Sequence, residues 1–137
     1  MEILIDTNII LDVAQKREEH FENSYKVFER CILGNDNGYL SSHSLSDIFF
    51  IMRKSHSVEE RKNAIAALCK YFTIIAESGG DYLYVAENQF MADLEDGLQI
   101  RCAENFNLDF IVTRNIKDFS SSSVKAVTPA DFISLSA

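Results

Sequence analysis

Short apolar runs alternate along the chain with longer stretches in which apolar residues recur every three or four positions. The short runs are typical of buried strands, and the longer stretches are typical of amphipathic helices. Strands are predicted at residues 3–5, 38–41, 72–76, 110–113 and, as an edge strand, 125–127. A first helix is predicted directly after the first strand, a second ends at residues 31–33, and a third begins after a Ser42 or Ser44 cap. Four more are predicted: one from about residue 58, one through 82–86, one over 92–106 and one from 128 onwards.

The order of these elements predicts the fold. Short strands separated by helices form mostly parallel sheets with helices on both faces, which is a three-layer α/β/α architecture. A length of 137 residues leaves little room for a second unit, so a single α/β domain over residues 1–137 is predicted. The apolar face of the second helix is predicted at Phe21, Tyr25, Phe28 and Ile32.

Composition narrows the class of protein. Apolar residues make up 47% and charged residues 25%, which is ordinary for a globular domain. No apolar run approaches the ~18–20 residues that cross a bilayer, and the N-terminus lacks a signal-peptide pattern, so a cytoplasmic protein without a membrane partner is expected. Three scattered cysteines without a C-x-x-C pair predict reduced core thiols at Cys31, Cys69 and Cys102.

The net charge of -8 excludes the diffuse basic surface of many nucleic-acid-binding proteins. It does not exclude a nucleic-acid substrate, because a metal-dependent nuclease concentrates carboxylates and can hold phosphate through the metal. Motifs for a phosphate-binding loop, a dinucleotide site or a serine nucleophile are missing from the sequence. The positions of the acidic residues are therefore more informative than their number.

Ligands of open α/β sheets bind beyond the carboxyl ends of the strands. This rule brings the segment that begins at Asp6 and the segment 113–115 to one crevice. Asp93 and Asp96 stand three positions apart at a helix start, so their carboxylates share one helix face. Each of these polar residues also has a simpler interpretation. Asp6 is then a helix cap, Asp47 a partner of a helix dipole, Asn115 a turn residue and Asp118 a helix stop.

Taken together, these residues predict a cation site. Two carboxylates 4 Å apart repel each other by ~4 kcal/mol at an effective dielectric constant of 20, and a divalent ion removes that cost. Oxygen ligands favour Mg²⁺ or Mn²⁺. The three histidines show no paired spacing, and a capping or surface role is expected for His43. Asp12 is expected to be solvated or to support a ligand from behind.

Four segments carry a resemblance to a known family. They are Asp6-Thr-Asn-Ile-Ile-Leu-Asp12, Ser44-Leu-Ser-Asp47-Ile, Asp93-Leu-Glu-Asp96-Gly-Leu-Gln and Val112-Thr-Arg-Asn115-x-x-Asp118-Phe. In this order and spacing they resemble the successive signatures of PIN domains. The resemblance implies an α/β/α nuclease that hydrolyses phosphodiester bonds, mostly in RNA, with one or two Mg²⁺ or Mn²⁺ ions. Single-domain bacterial members are commonly VapC-type toxins that pair with an antitoxin and often form homodimers.

The resemblance also implies roles for individual residues. Asp6 matches the first acid of the family and Asp96 the third, Asp47 stands where many relatives carry Glu, and Asn115 or Asp118 supplies the fourth position. The residues expected to act in catalysis are Asp6, Asp47, Asp96 and Asn115. The expected metal ligands are Asp6, Asp47, Asp93, Asp96 and Asp118.

Further residues are expected to support these groups. Asn8, Ser44 and Thr113 are expected to donate hydrogen bonds that fix carboxylate rotamers. Lys54, two helical turns after Asp47, and Arg114 are expected to guide the RNA backbone. The alternative function is a catalytically weak PIN-like module that binds RNA or a protein partner.

Overall fold

The central strand of the sheet, β1 (Glu2–Ile5), ends directly before Asp6 in the computed structural model, which describes residues 1–135. Its neighbours are β2 (Asn37–Ser41) and β4 (Phe110–Val112), and the outer strands are β3 (Thr73–Ile75) and β5 (Lys125–Val127). The strand order is β3-β2-β1-β4-β5, and every neighbouring pair is parallel. The predicted parallel sheet and the edge position of β5 are confirmed.

Helical segments connect the strands and cover both faces of the sheet. The α-helices are α1 (Thr7–Ala14), α2 (Phe21–Ile32), α3 (Ser42–Ile51), α4 (Val58–Tyr71), α5 (Gly79–Glu87), α6 (Leu94–Asn105) and α7 (Pro129–Leu135). Short 3-10 turns follow α3 at Met52–Lys54 and β4 at Ile116–Phe119. Within residues 1–135, no helix combines the length and apolarity that a membrane crossing requires.

The alternation of side chains along β1 divides the apolar core into two layers. Ile3 and Ile5 pack with residues of α1, α2, α3, α4 and α7, whereas Leu4 packs with residues of α6 on the opposite face. All three β1 side chains are buried, as expected for the central strand of a sheet that helices cover on both sides. The predicted three-layer α/β/α fold is confirmed.

Some local expectations are wrong. The buried face of α2 is formed by Ser24, Val27 and Cys31, while Tyr25 is 42% exposed and stacks on Phe21. Phe28 packs against the apolar core, so the predicted face is right at this residue and wrong at Tyr25. Periodicity alone favoured the larger apolar residues and missed the small Ser24 on the buried face.

Two further positions differ at helix termini and surfaces. Ser41, and neither Ser42 nor Ser44, is the N-cap residue of α3, and it makes no side-chain capping hydrogen bond. Cys69 is exposed on α4, whereas Cys31 and Cys102 are buried. Burial raises the pKa of both buried thiols to about 12, so they stay protonated at neutral pH.

Candidate metal centre

Asp6 extends the β1–β4 pairing and turns its carboxylate into the protein. Its backbone N–H donates to the Val112 carbonyl at 3.0 Å. The buried side chain accepts two hydrogen bonds, from Gln99 Nε2 to Oδ1 at 3.0 Å and from Thr113 Oγ1 to Oδ2 at 2.8 Å. Asp6 stands at the N-cap position of α1 but makes no side-chain capping bond, so it is not a simple cap.

The first turn of α6 brings more negative charge to Asp6. Asp93 is the N-cap residue of α6, and its exposed side chain accepts the Asp96 backbone N–H at 2.9 Å. Burial, followed by the charges of Asp93, Asp6 and Asp118, raises the pKa of Asp96 to about 7. The fold therefore brings these four predicted residues within electrostatic reach of one another.

Glu95, the neighbour of Asp96 in the sequence, faces a different set of residues. Burial, followed by the Asp47 carboxylate, raises the pKa of Glu95 to about 7. Ligand atoms of His43, Asp47 and Glu95 all lie within 4.8 Å of one another. Sequence reasoning missed Glu95 and assigned His43 to a cap or a surface. The signal for His43 was its position four residues before Asp47, which places both on one face of a helix.

A chain of hydroxyl groups lies behind Glu95. Ser44 Oγ is 2.7 Å from both Ser41 Oγ and Thr7 Oγ1, and Thr7 Oγ1 donates to Glu95 Oε1 at 3.4 Å. Ser44 thus supports a carboxylate through Thr7, and Thr7 and Ser41 were not predicted. Nothing in the apolar periodicity marks a hydroxyl that acts through another hydroxyl.

The segment after β4 contributes through Thr113 and Asp118. Thr113 Oγ1 donates to Asp6 and accepts the Asn115 backbone N–H at 3.0 Å, as expected of a residue that fixes a carboxylate rotamer. Asp118 is exposed, and its charge acts on Asp96. The exposed Asn115 side chain has no hydrogen bond within residues 1–135. Of the two candidates for the fourth acid, Asp118 is the one whose charge acts on the site.

Arg114 and Asn8 belong to a separate network centred on Asp12. Arg114 forms two bonds with the Asp12 carboxylate, from Nε at 2.9 Å and from Nη2 at 3.2 Å. Asp12 is completely buried and also accepts from Ser24 Oγ at 2.9 Å, so the expectation of a solvated Asp12 is wrong. Asn8 Oδ1 accepts from Arg17 Nη1 at 3.3 Å. Asn8 therefore supports no site carboxylate in residues 1–135. Arg114 is paired with Asp12, and its contact with RNA stays a prediction.

The spacing argument for Lys54 also fails. The α-helix that carries Asp47 ends at Ile51, and Lys54 lies in the 3-10 turn that follows. Two regular α-helical turns therefore do not connect Asp47 with Lys54. Lys54 is exposed and has no ion pair within residues 1–135.

The donor set fits a divalent cation. Burial first, and then the charges of neighbouring carboxylates, raises the pKa of Glu95 and of Asp96 to about 7. Among residues 1–135, the ligand atoms close enough to hold one ion are those of His43, Asp47 and Glu95, and Asp6, Asp96 and Asp118 are not part of this group. Arg114, the cation adjacent to a predicted site residue in the sequence, is paired with Asp12 instead. Oxygen-rich sites of this kind suit Mg²⁺ and Mn²⁺.

Several solved structures share this fold. A chain of a Klebsiella pneumoniae toxin–antitoxin complex is 22% identical with a TM-score of 0.69, covering 93% of this chain and 97% of that chain. VapBC2 from Rickettsia felis, bound to a promoter DNA fragment, gives 21% identity, a TM-score of 0.69 and coverages of 93% and 98%. VapBC-1 from nontypeable Haemophilus influenzae is 19% identical with a TM-score of 0.70, covering 95% of this chain and 99% of that chain.

No curated protein matches the chain in sequence. The family model described as PIN domain matches residues 2–117, a range that runs from β1 into the turn after β4 and includes Asp6, Asp47 and Asp96. The resemblance seen in the four sequence segments, the parallel sheet and the family match agree. The chain belongs to the PIN domain family.

Proposed function

We propose that this protein is a metal-dependent endoribonuclease that hydrolyses phosphodiester bonds of cytoplasmic RNA with Mg²⁺ or Mn²⁺. The observation that carries the proposal is the position of Asp96. Its carboxylate is half-buried among Asp6, Asp93 and Asp118, at a cost in repulsion that a bound cation would remove. Membership of the PIN domain family supports the same activity.

Different residues of the chain would bind the metal ion and support its ligands. Asp6 and Asp96 would hold the ion, with Asp47 and Asp118 completing or orienting the set. A divalent ion supplies activation of water and neutralisation of phosphate charge, so no protein nucleophile is required. Gln99 and Thr113 would keep the Asp6 carboxylate in one rotamer.

Cleavage of a single-stranded RNA by purified protein tests the proposal. The wild type should cleave with Mg²⁺ or Mn²⁺ and stop when EDTA is added. Asp96→Asn keeps the shape of the side chain but removes its charge, so it should abolish cleavage while the circular dichroism spectrum stays unchanged. Asp131→Asn changes an exposed acid on α7 and is the matched control. Equal cleavage by the wild type and Asp96→Asn would reject the nuclease and favour the binding module.

We propose further that the protein is the toxin of a toxin–antitoxin pair. A similar solved chain comes from such a complex, of Klebsiella pneumoniae. A cavity of about 220 Å³ also opens between α1, α2, α3 and α4, lined by apolar side chains that include Ile10, Phe28, Met52 and Tyr71. Apolar grooves between helices accept the apolar face of a partner helix. Expression of the wild type should arrest bacterial growth, and expression of Asp96→Asn should not.

A second copy of the chain is the other proposed partner. Leu83 and Tyr84 on α5 are 60% and 46% exposed, and Phe90 just beyond α5 is 76% exposed. Tyr84 and Phe90 line one surface cavity, and neighbouring exposed apolar side chains are typical of an interface. Light scattering after size exclusion should give the mass of a dimer for the wild type and of a monomer for Leu83→Glu.

A further inference from the structure

The imidazole of His43 lies between two carboxylates. Nδ1 contacts Glu77 Oε1, and Nε2 lies 3.9 Å from Glu95 Oε1. Nε2 is buried and has no hydrogen-bond partner within residues 1–135. A separation of 3.9 Å is too long for a hydrogen bond, so Nε2 faces Glu95 without being bonded to it.

Glu77 holds the ring in this orientation. It follows β3 at the carboxyl end of the sheet, and its side chain is 4% exposed. Besides Nδ1 of the ring, the Glu77 carboxylate accepts the Ser42 hydroxyl and the His43 backbone N–H. Because an ionised carboxylate only accepts hydrogen bonds, Nδ1 carries a proton, and in the neutral ring the lone pair lies on Nε2.

This lone pair points towards two acidic side chains. Asp47 lies four residues after His43 on α3, and Glu95 reaches the same place from the first turn of α6. The ligand atoms of the three residues lie within 4.8 Å of one another. Ligands at ~2.1 Å from one ion are about 3 to 4 Å apart, a spacing that small side-chain rotations would reach here.

We infer that His43, Asp47 and Glu95 hold a first-row transition-metal ion such as Mn²⁺, with Glu77 as the residue that positions the imidazole. The inference rests on the proposed metal-dependent function and adds a nitrogen ligand, the His43 imidazole, to the oxygen ligands proposed above. A metal-binding histidine almost always donates its other ring N–H to a carboxylate or carbonyl, which is the arrangement of Glu77 and His43. An imidazole ligand favours transition ions over Mg²⁺, which prefers oxygen.

Titration of the metal-free protein with Mn²⁺ and with Mg²⁺ tests the preference. The experiment uses a Cys69→Ser background, because the exposed Cys69 thiol could bind transition ions itself. Mn²⁺ should bind at least about tenfold more tightly than Mg²⁺, and His43→Ala should remove most of this difference by weakening Mn²⁺ binding. His20→Ala is the matched control, since His20 Nε2 also lies 3.9 Å from a carboxylate, that of Glu19, but on an exposed side chain.

Glu77→Gln tests the positioning role without removing the imidazole. The amide keeps an acceptor oxygen for Nδ1–H but loses the charge, so Mn²⁺ affinity should fall by about tenfold while Mg²⁺ affinity changes little. Long-range ¹H–¹⁵N spectra give a readout that depends on neither activity nor a substitution at the site. Adding Zn²⁺ to the Cys69→Ser protein, with His43 and Glu77 in place, should shift the His43 Nε2 resonance and leave that of His20 in place.

An unshifted His43 Nε2 at saturating Zn²⁺, or an equal Mn²⁺ preference in the wild type and His43→Ala, would overturn the inference. The first result would show that Glu77 holds the His43 ring without metal binding at Nε2. Mg²⁺-dependent cleavage that still disappears in Asp96→Asn would then leave the proposed nuclease standing. Failure of the protein to bind any divalent ion would remove both.

Discussion

Gln99 Nε2 donates a 3.0 Å hydrogen bond to Asp6 Oδ1, although 93 residues separate the two along the chain. Gln99 is completely buried, and its Oε1 has no hydrogen-bond partner within residues 1–135. A buried amide with one unsatisfied oxygen costs stability. The hydrogen bond from Gln99 Nε2 to the Asp6 carboxylate, directly after the central strand, explains why a glutamine stands at this buried position.

Gln99→Met should separate these two effects. The variant removes the unsatisfied oxygen and the donor to Asp6 together, so the free energy of unfolding should change by less than about 1 kcal/mol. Loss of the donor should weaken Mn²⁺ or Mg²⁺ binding by about tenfold or more, measured by titration. Gln89→Met, at an exposed position, serves as the control. Unchanged metal affinity in Gln99→Met would show that Thr113 alone fixes Asp6.

Asp12→Asn should mainly affect stability. The buried Asp12 carboxylate binds Arg114 through two bonds, and an amide would leave the guanidinium without its counter-charge. The free energy of unfolding should fall by about 3 kcal/mol, measured by denaturant titration. Cleavage per folded molecule should stay close to that of the wild type, since Asp12 lies outside the acidic site. Wild-type stability of Asp12→Asn would contradict the assigned network.

The stability of the metal-free protein should fall as the pH rises towards neutrality. The pKa values of Glu95 and Asp96 are about 7 in the folded protein and near 4 in an unfolded chain. Because the folded state binds these protons more tightly, the stability they contribute is complete below about pH 4 and is lost as the pH rises through 7. The melting temperature without metal should therefore be lower at about pH 8 than at about pH 5.5.

Two comparisons check that this pH dependence comes from the site. Asp96→Asn should reduce the fall in melting temperature, and saturating Mn²⁺ should reduce it in the wild type. Asp81 does not contribute in this range. The Ser78 backbone N–H, together with Asn105 and Arg101, lowers the pKa of Asp81, so its stabilisation is lost only in acid. A melting temperature that rises steadily from pH 5.5 to 8 would exclude the proposed repulsion.

Gly97→Ala should disrupt the contact between α5 and α6. A Cβ at Gly97 would lie 2.4 Å from Val85 Cγ1, which is closer than packed atoms approach. The expected loss is about 1–3 kcal/mol, reduced by the better helix propensity of alanine. Gly79→Ala, where a Cβ meets nothing within 4 Å, should be close to neutral. Adding Val85→Ala to Gly97→Ala should recover part of the loss if the close contact is the cause.

Local patterns predicted the elements better than the side-chain partners. The apolar runs located all five strands to within one residue at each end because strand burial depends on neighbouring residues in the sequence. The direction of a side chain at a helix start does not depend on neighbouring residues in the sequence. Glu95 and Asp96 are adjacent, yet the Asp47 charge acts on Glu95 while the charges of Asp93 and Asp118 act on Asp96, and only the packed position of α6 decides this.

Long-range partners explain the remaining differences. Arg114 follows a predicted site residue, but its partner Asp12 is 102 positions away and is buried by packing between helices. Gln99 stood inside a recognised segment, and no local rule connects a glutamine in the second turn of a helix with a carboxylate at the end of β1. Tertiary structure determined the partners of both residues.

The strand order also has a consequence for synthesis of the protein. β1 is made before its neighbour β4, which begins at Phe110, so one edge of the central strand lacks its partner until translation has passed that residue. A nascent chain that ends at Glu87 contains Asp6 and Asp47 but lacks Glu95, Asp96, Gln99 and Thr113. The acidic site therefore cannot assemble before translation has passed Thr113.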